Sequence, residues 1–224
     1  LLSSVSGVYL SQILGGYFGE KDWPNLSQAM SEMRDLPIEI DDRAHQPVRD
    51  IRSACRRMKV ERGLDLIVID YVQLITGSLD RRGATRNEEM TDISRRIKLL
   101  ADEVAAPVLL VSQLSRANDK RPDPMPRLSD LRESGALEQD ADLVCFLHRK
   151  NHREGGLTYF ICEKQRQGPT GTFNLTLNRD NVTFTDGGEE PPPPEPKKKA
   201  DKQGRSRERP SGKQLSFTGE AEGS

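Results

Sequence analysis

Four groups of polar residues stand out against the pattern of this sequence. The first is Asp70, which closes the run "LDLIVID" (64–70). A nearly continuous apolar run of β-branched character reads as a strand buried on both faces of a parallel sheet. An Asp at its end emerges at the carboxyl edge, where open α/β sheets bind ligands, and can hold Mg2+ on a nucleotide directly or through water. This is the Walker B arrangement; the plainer reading is an Asp that caps a loop. The second group is Ser112-Gln113, at the end of "PVLLVSQ" (107–113). One strand from Asp70, the pair can sense a terminal phosphate or position water, or can simply bond the loop backbone. The third is Lys164 and Arg166, just before "GPTG" (168–171). Two residues apart on a strand, they share a face. At the lip of a hairpin they can reach a phosphate on an adjacent subunit as an arginine finger does, or merely solvate the hairpin end. The fourth is "RLSDLRESGALEQDADL" (127–143). Ser129 can cap a short helix with Asp130 in its first turn. Arg132 and Glu133 follow no apolar periodicity, and Gly135 lets backbone approach a ligand closely. An Arg beside exposed N–H groups suits a phosphate chain, and without interleaved aromatics the segment reads as tracking a backbone rather than stacking bases.

The elements that must position these residues are legible in outline. "DWPNLSQAMSEMRDLP" reads as a helix capped by Asp22, with Pro24 in its first turn and Leu26, Met30 and Met33 at helical spacing. Leu10, Ile13, Leu14 and Tyr17 give a shorter helical face weakened by Gly15 and Gly16. Pro37 ends the first of these helices, and "IEIDD" reads as a short strand. Val48, Ile51, Cys55 and Met58 mark a helix closed by Gly63. Met90, Ile93, Ile97, Leu100 and Val104 mark the longest helix, between the Asp70 and Gln113 strands. "DLVCFLH" (142–148) reads as a third buried strand. Strand–helix–strand alternation points to an α/β fold with right-handed crossovers. The strands "LTYFICEKQ", "TFNLTL" and "VTFTD" then form a hairpin and a further strand about a Gly/Pro turn.

Composition divides the chain. Of its 34 Lys+Arg and 35 Asp+Glu, 8 and 7 fall in residues 187–224, together with 6 of the 14 Pro. Residues 1–186 form the globular part, with 26 basic and 28 acidic residues, and 187–224 form a disordered tail that cannot bury enough apolar surface to fold. The net charge of −1 excludes a protein that holds nucleic acid by bulk positive charge. Between Lys197 and Lys213 the tail carries 8 basic and 2 acidic residues, which suits a solvated linker or a nonspecific arm for nucleic acid or a partner. Cys55, Cys145 and Cys162 lack disulfide or zinc spacing and read as structural thiols of a reducing cytosol. No apolar run approaches the roughly 20 residues of a membrane span.

Together these segments resemble a known family. "LIVIDYVQLI", "RNEEMTDISRRIKLLADEVAAPVLLVSQLSR", "MPRLSDLRESGALEQDADLVCFLHR" and "EKQRQGPTGTFNLTL" are similar to the C-terminal RecA-like domain of bacterial replicative DNA helicases of the DnaB type. "SDLRESGALEQDAD" and "KQRQGPTGT" carry most of the specificity, and the likeness covers nearly all of residues 1–186. The resemblance implies a RecA-like P-loop NTPase core, with a mostly parallel sheet, helices on both faces and a C-terminal β-hairpin. It implies ATP and Mg2+ as cofactors and Asp70 as the Walker B acid. Gln113 becomes the residue that links nucleotide state to the DNA-binding loops. Arg166 becomes the arginine finger and Lys164 its companion, both acting on ATP held by the neighbouring subunit. Arg132, Glu133 and Gly135 match the loop that grips the sugar–phosphate backbone of single-stranded DNA, and residues 76–87 the other channel-facing loop. A homohexameric ring, primase and a helicase loader are the implied partners, with no membrane, in the bacterial cytoplasm at the replisome.

The sequence also departs from that pattern. No G-x-x-x-x-G-K-[ST] occurs, and Gly212-Lys213 is followed by Gln214. The family's "SLEM" strand, whose Glu activates the attacking water, is missing too. The chain, which opens on Leu, therefore reads as a fragment that offers Asp70 and a finger in trans but no phosphate cradle of its own. One expectation is the C-terminal part of an ATP-dependent 5′–3′ helicase, inactive alone. The alternative is a non-enzymatic truncated RecA-like protein that binds DNA or helicase subunits without hydrolysing ATP. A recombination relative of the RadA type fits the strands but not "SDLRESG…EQDAD".

Overall fold

The apolar stripe from Met90 to Val104 folds as the longest helix among the described residues. Arg86–Val104 form α5, and Met90, Ile93, Ile97, Leu100 and Val104 are all buried along one stripe. Its start is fixed by a capping box: the Glu88 N–H donates to Thr85 Oγ1, and Glu88 Oε2 accepts the Thr85 N–H at 2.8 Å. Its end is a Schellman turn in which Ala105 is left-handed, with φ 48°; the Ala106 N–H reaches the Ala101 carbonyl at 3.2 Å. The computed structural model describes residues 1–77, 85–115, 121, 125–149 and 157–188, with the backbone alone at 132–134. Apart from Gly187 and Gly188, the expected tail lies outside the described residues.

Ahead of α5 the chain forms α1 (Leu2–Ser6), α2 (Leu10–Gly15), α3 (Trp23–Arg34) and α4 (Val48–Glu61). Pro24 sits in the first turn of α3 as expected, but the Asp22 carboxylate turns back to accept the Gly19 N–H at 2.9 Å instead of capping the helix. Leu26 and Ala29 form the buried face of α3, whereas Met30 is exposed. "IEIDD" is not a strand: no strand lies alongside it among the described residues, and Ile38 and Ile40 are exposed. Gly63, at φ 84°, supplies the left-handed turn that leads α4 into the sheet.

The strands form two sheets. β1 (Ile67–Ile69) and β2 (Val108–Leu110) pair in parallel, with Ile67 opposite Val108 and Ile69 opposite Leu110, and α5 makes the crossover. β3 (Leu143–Arg149), β4 (Leu157–Gln165), β5 (Gly171–Asn178) and β6 (Thr183–Asp186) form an antiparallel sheet in chain order. The expected hairpin and following strand are β4, β5 and β6. "DLVCFLH", read as a further strand of the parallel alternation, instead pairs antiparallel with β4; the seven residues between Arg149 and Leu157 are fewer than a parallel crossover needs. The β1–β2 pair is buried on one face, not two. Ile67 and Ile69 pack with Val108 and Leu110 against α4 and α5, while Leu66, Val68, Leu109 and Val111 are 40–57% exposed.

Two apolar cores result. The larger joins α4, α5 and the β1–β2 pair; the smaller gathers Leu131, Val144, Phe146 and Ile161. A 3-10 segment, Leu128–Ser134, and the helix α6 (Gly135–Asp140) link them, since Leu131 enters the smaller core and Leu137 the larger.

Candidate functional site

At the carboxyl edge of the parallel pair, Asp70 follows β1 and is exposed, joined to Tyr71 by a cis peptide bond. Gln113 lies just beyond β2, also exposed. The residue that ties the two loops together, Gln73, was not among the expected site residues. Its side-chain N–H donates to Ser112 Oγ at 3.2 Å and to the Gln113 carbonyl at 3.3 Å, and its Oε1 accepts the Gln113 N–H at 3.4 Å. A short 3-10 turn, Val72–Leu74, aims this side chain, with Val72 fully buried beneath it and its N–H bonded to the Val111 carbonyl at 2.9 Å. The only clue to Gln73 is a polar residue inside the otherwise apolar "YVQLI".

The same turn begins the expected channel-facing loop. Of residues 76–87, positions 78–84 lie outside the described residues, but both ends are held. Glu89, in the first turn of α5, accepts the Gly77 N–H at 2.8 Å and pairs with Arg86 at 2.5 Å. Arg86 also donates to the Gln73 carbonyl at 3.0 Å. The bond from Gly77, and after it the Arg86 guanidinium, hold the Glu89 carboxyl below its ordinary value. A side chain at Gly77 would bring a Cβ to 2.5 Å from Glu89 Cγ, so glycine is required by close approach.

The segment expected to contact a phosphate chain starts on a buried carboxylate. Asp130, 8% exposed, accepts the Arg127 N–H at 2.9 Å and pairs with Arg121 at 2.7 Å, while its own carbonyl accepts the Ser115 N–H at 3.2 Å. The cap at this point is therefore Asp130 acting back on Arg127, not Ser129, since the 3-10 segment starts two residues earlier than the serine cap requires. The backbone runs from Arg132 and Glu133 into α6 at Gly135, where a Cβ would meet nothing within 4 Å. The Arg132 and Glu133 side chains lie outside the described residues.

Lys164 and Arg166 do converge, both on the far end of α6. Lys164 Nζ donates to the Glu138 carbonyl at 2.6 Å and the Gln139 carbonyl at 3.1 Å. Arg166 Nη1 pairs with Asp142 Oδ1 at 2.8 Å, and the Arg166 backbone N–H donates to the Asp142 carbonyl at 2.8 Å. Asp142 is shared with Lys98 of α5, bonded through Oδ2. Lys98 first, then Arg166 and Lys164, hold the Asp142 carboxyl below the usual carboxylate range. Among the described residues no hydrogen bond or ion pair joins Asp70 to Arg166. The chain thus carries two separate half-sites, a carboxylate edge and a cationic lip.

Residues 1–186 match the family model described as the DnaB-like helicase C terminal domain. The chain belongs to that family. It is 41% identical over 189 residues to the replicative DNA helicase DnaB of Geobacillus stearothermophilus, a match spanning 82% of this chain and 41% of that protein. The replicative DNA helicase DnaC of Bacillus subtilis is 40% identical over the same length and share. The chain thus spans about two fifths of the length of these two relatives. Among solved structures, one described as an ATPase domain superposes with a TM-score of 0.77 at 34% identity, covering 83% of this chain and 68% of that one. A DnaB-like replicative helicase described with its interactions with primase superposes at 0.76 and 35% identity, covering 82% and 47%.

As a DnaB-like C-terminal domain, the chain has the RecA-like α/β architecture its sequence suggested. A nucleotide with magnesium fits this chain only in part. A single exposed carboxylate at a strand edge, Asp70, suits a hydrated magnesium that takes its remaining ligands from phosphate and water. The phosphate-cradling loop has no counterpart anywhere in the sequence.

Proposed function

We propose that this chain is the C-terminal portion of a ring-forming replicative helicase that uses ATP to move along single-stranded DNA in the 5′–3′ direction and exclude the other strand. The observation that carries this reading is the junction at the end of α6. There, Lys164 and Arg166, the cations suited to a neighbour's phosphates, are bonded to the segment that begins at the DNA-facing Gly135. On this reading six copies form the ring, each offering Asp70 to one nucleotide and Arg166 with Lys164 to the next. Asp70 would hold magnesium through a carboxylate oxygen, and the metal would neutralise charge on the transferred phosphate. Gln113, with its backbone held by Gln73, stands where a change at the phosphate reaches the loop clasped by Glu89. Arg132, Glu133 and Gly135 would grip the strand. Primase and a loader are the partners proposed for the whole protein, in the bacterial cytoplasm, with residues 187–224 as a separate tail.

The test is Arg166→Ala in rings of the full-length polypeptide. ATPase activity should fall by about a hundredfold or more, while nucleotide binding by equilibrium titration is retained. Turnover at the wild-type rate would remove the finger assignment. The reading as a non-catalytic relative is not favoured, because the relatives at 40–41% identity are named replicative helicases.

A further inference from the structure

The end of α6 is tied from two sides. Within the last residues of the helix and its exit, Asp140 accepts the Ser94 hydroxyl of α5 at 2.6 Å, and Asp142 binds Lys98 of the same helix. From the other side, Lys164 takes the Glu138 and Gln139 carbonyls, and Arg166 takes both the carbonyl and the carboxylate of Asp142. Asp142 and Arg166 are 55% and 53% exposed in their side chains. An ion pair that wet contributes little to stability. What it does instead is hold a long, rotamer-rich side chain in one place.

The chemistry of the pair suits that purpose. Asp142 spends Oδ1 on Arg166 and Oδ2 on Lys98, so two acceptor oxygens are needed, and an amide would offer only one. The Arg166 contacts use Nη1 and the backbone N–H, which leaves the Nε–Nη2 edge of the guanidinium to present a planar fork to a phosphate. Asp142 follows just beyond the end of α6, whose other end is Gly135. We propose that Asp142 is a positioning residue that aims Arg166 at the neighbouring subunit's phosphates and makes that aim depend on the position of α6. Occupancy of the DNA-facing end of α6 thereby sets how well the finger is placed, and a phosphate on the finger in turn steadies α6. This inference rests on the reading of Arg166 as a finger acting in trans.

Rings of the full-length polypeptide carrying Asp142→Asn or Asp142→Glu test it. Asp142→Asn should lower kcat with oligo-dT present by about tenfold or more, with KM for ATP changed less than about twofold. Asp142→Glu, which keeps both acceptor oxygens, should recover most of that loss. The second readout is hydrogen exchange: ADP with aluminium fluoride should slow exchange over residues 135–142 in wild-type rings but not in Asp142→Asn rings. Wild-type kcat and wild-type protection in Asp142→Asn, with Arg166→Ala inactive, would overturn the positioning role and leave the finger standing. Normal turnover by Arg166→Ala would overturn the finger itself. If Asp142→Asn does not assemble, wild-type and Arg166→Ala rings still decide. Protection of 135–142 that persists without the guanidinium overturns the coupling, and its loss supports it.

Discussion

Gln73 and Asp142 show what a side chain acquires only from its partners. Asp70, Gln113, Lys164 and Arg166 were legible because each interrupts an apolar or turn pattern at a strand end. Gln73 interrupts an apolar turn rather than a strand end, and Asp142 interrupts nothing. Their partners lie 39 to 44 residues away along the chain for Ser112, Gln113 and Lys98, distances that no local spacing rule crosses. Glu89 is of the same kind, and its environment makes a measurable prediction. Because the Gly77 N–H and Arg86 hold its carboxyl below 4.5, the bond to Gly77 is fully formed at neutral pH and is lost as pH falls through that lowered value. The amide proton resonance of Gly77 should therefore move upfield on acidification with a midpoint below 4.5. The same titration should vanish in Glu89→Gln. A midpoint at or above the ordinary value, or a titration that survives the substitution, would show that Glu89 does not hold the loop.

At the scale of elements, periodicity was informative wherever one face alone is buried. α5 followed its five-residue stripe without error, because a single buried stripe is the condition under which a 3.6-residue period is diagnostic. The apolar strands were less transparent. A run such as "LIVI" carries no alternation to show that Val68 faces solvent, and "DLVCFLH" does not announce whether its partner is parallel. "IEIDD" has strand composition without a neighbour to pair with, and composition alone does not make a ladder. The C-terminal turn of α5 was not legible either, since it is built on Ala105 rather than glycine. An L-residue with φ 48° carries a left-handed penalty of about 1 kcal/mol. Ala105 is exposed, so replacement removes no packing. Ala105→Gly should raise stability by roughly 0.5 kcal/mol after the entropy of the added glycine is counted, seen as a melting temperature higher by about 1–2 °C. Ala105→Val should lower it. A lower melting temperature for the glycine variant would mean that the Schellman turn is not formed.

The whole molecule has one uncovered apolar side, as expected of a sheet that lacks a strand and a helix of its family's pattern. Parallel sheets are ordinarily covered on both faces, yet Val68 and Leu109, directly opposite one another, are 57% and 56% exposed, with Leu66 and Val111 beside them. The chain on its own should therefore bind an apolar dye such as ANS and self-associate in sedimentation velocity. The double variant Val68→Thr, Leu109→Thr should lose most of both signals with little change in melting temperature. Dye binding that is indifferent to both substitutions would place the exposed surface elsewhere. At the N-terminal end of α5, the clasp at Gly77 and the capping box at Thr85 tie both ends of the segment between them. Doubling the length of a segment so closed costs only about 0.6 kcal/mol of loop entropy. A change of length between the two ties therefore costs little, and the helix and the parallel pair on either side keep their register through it.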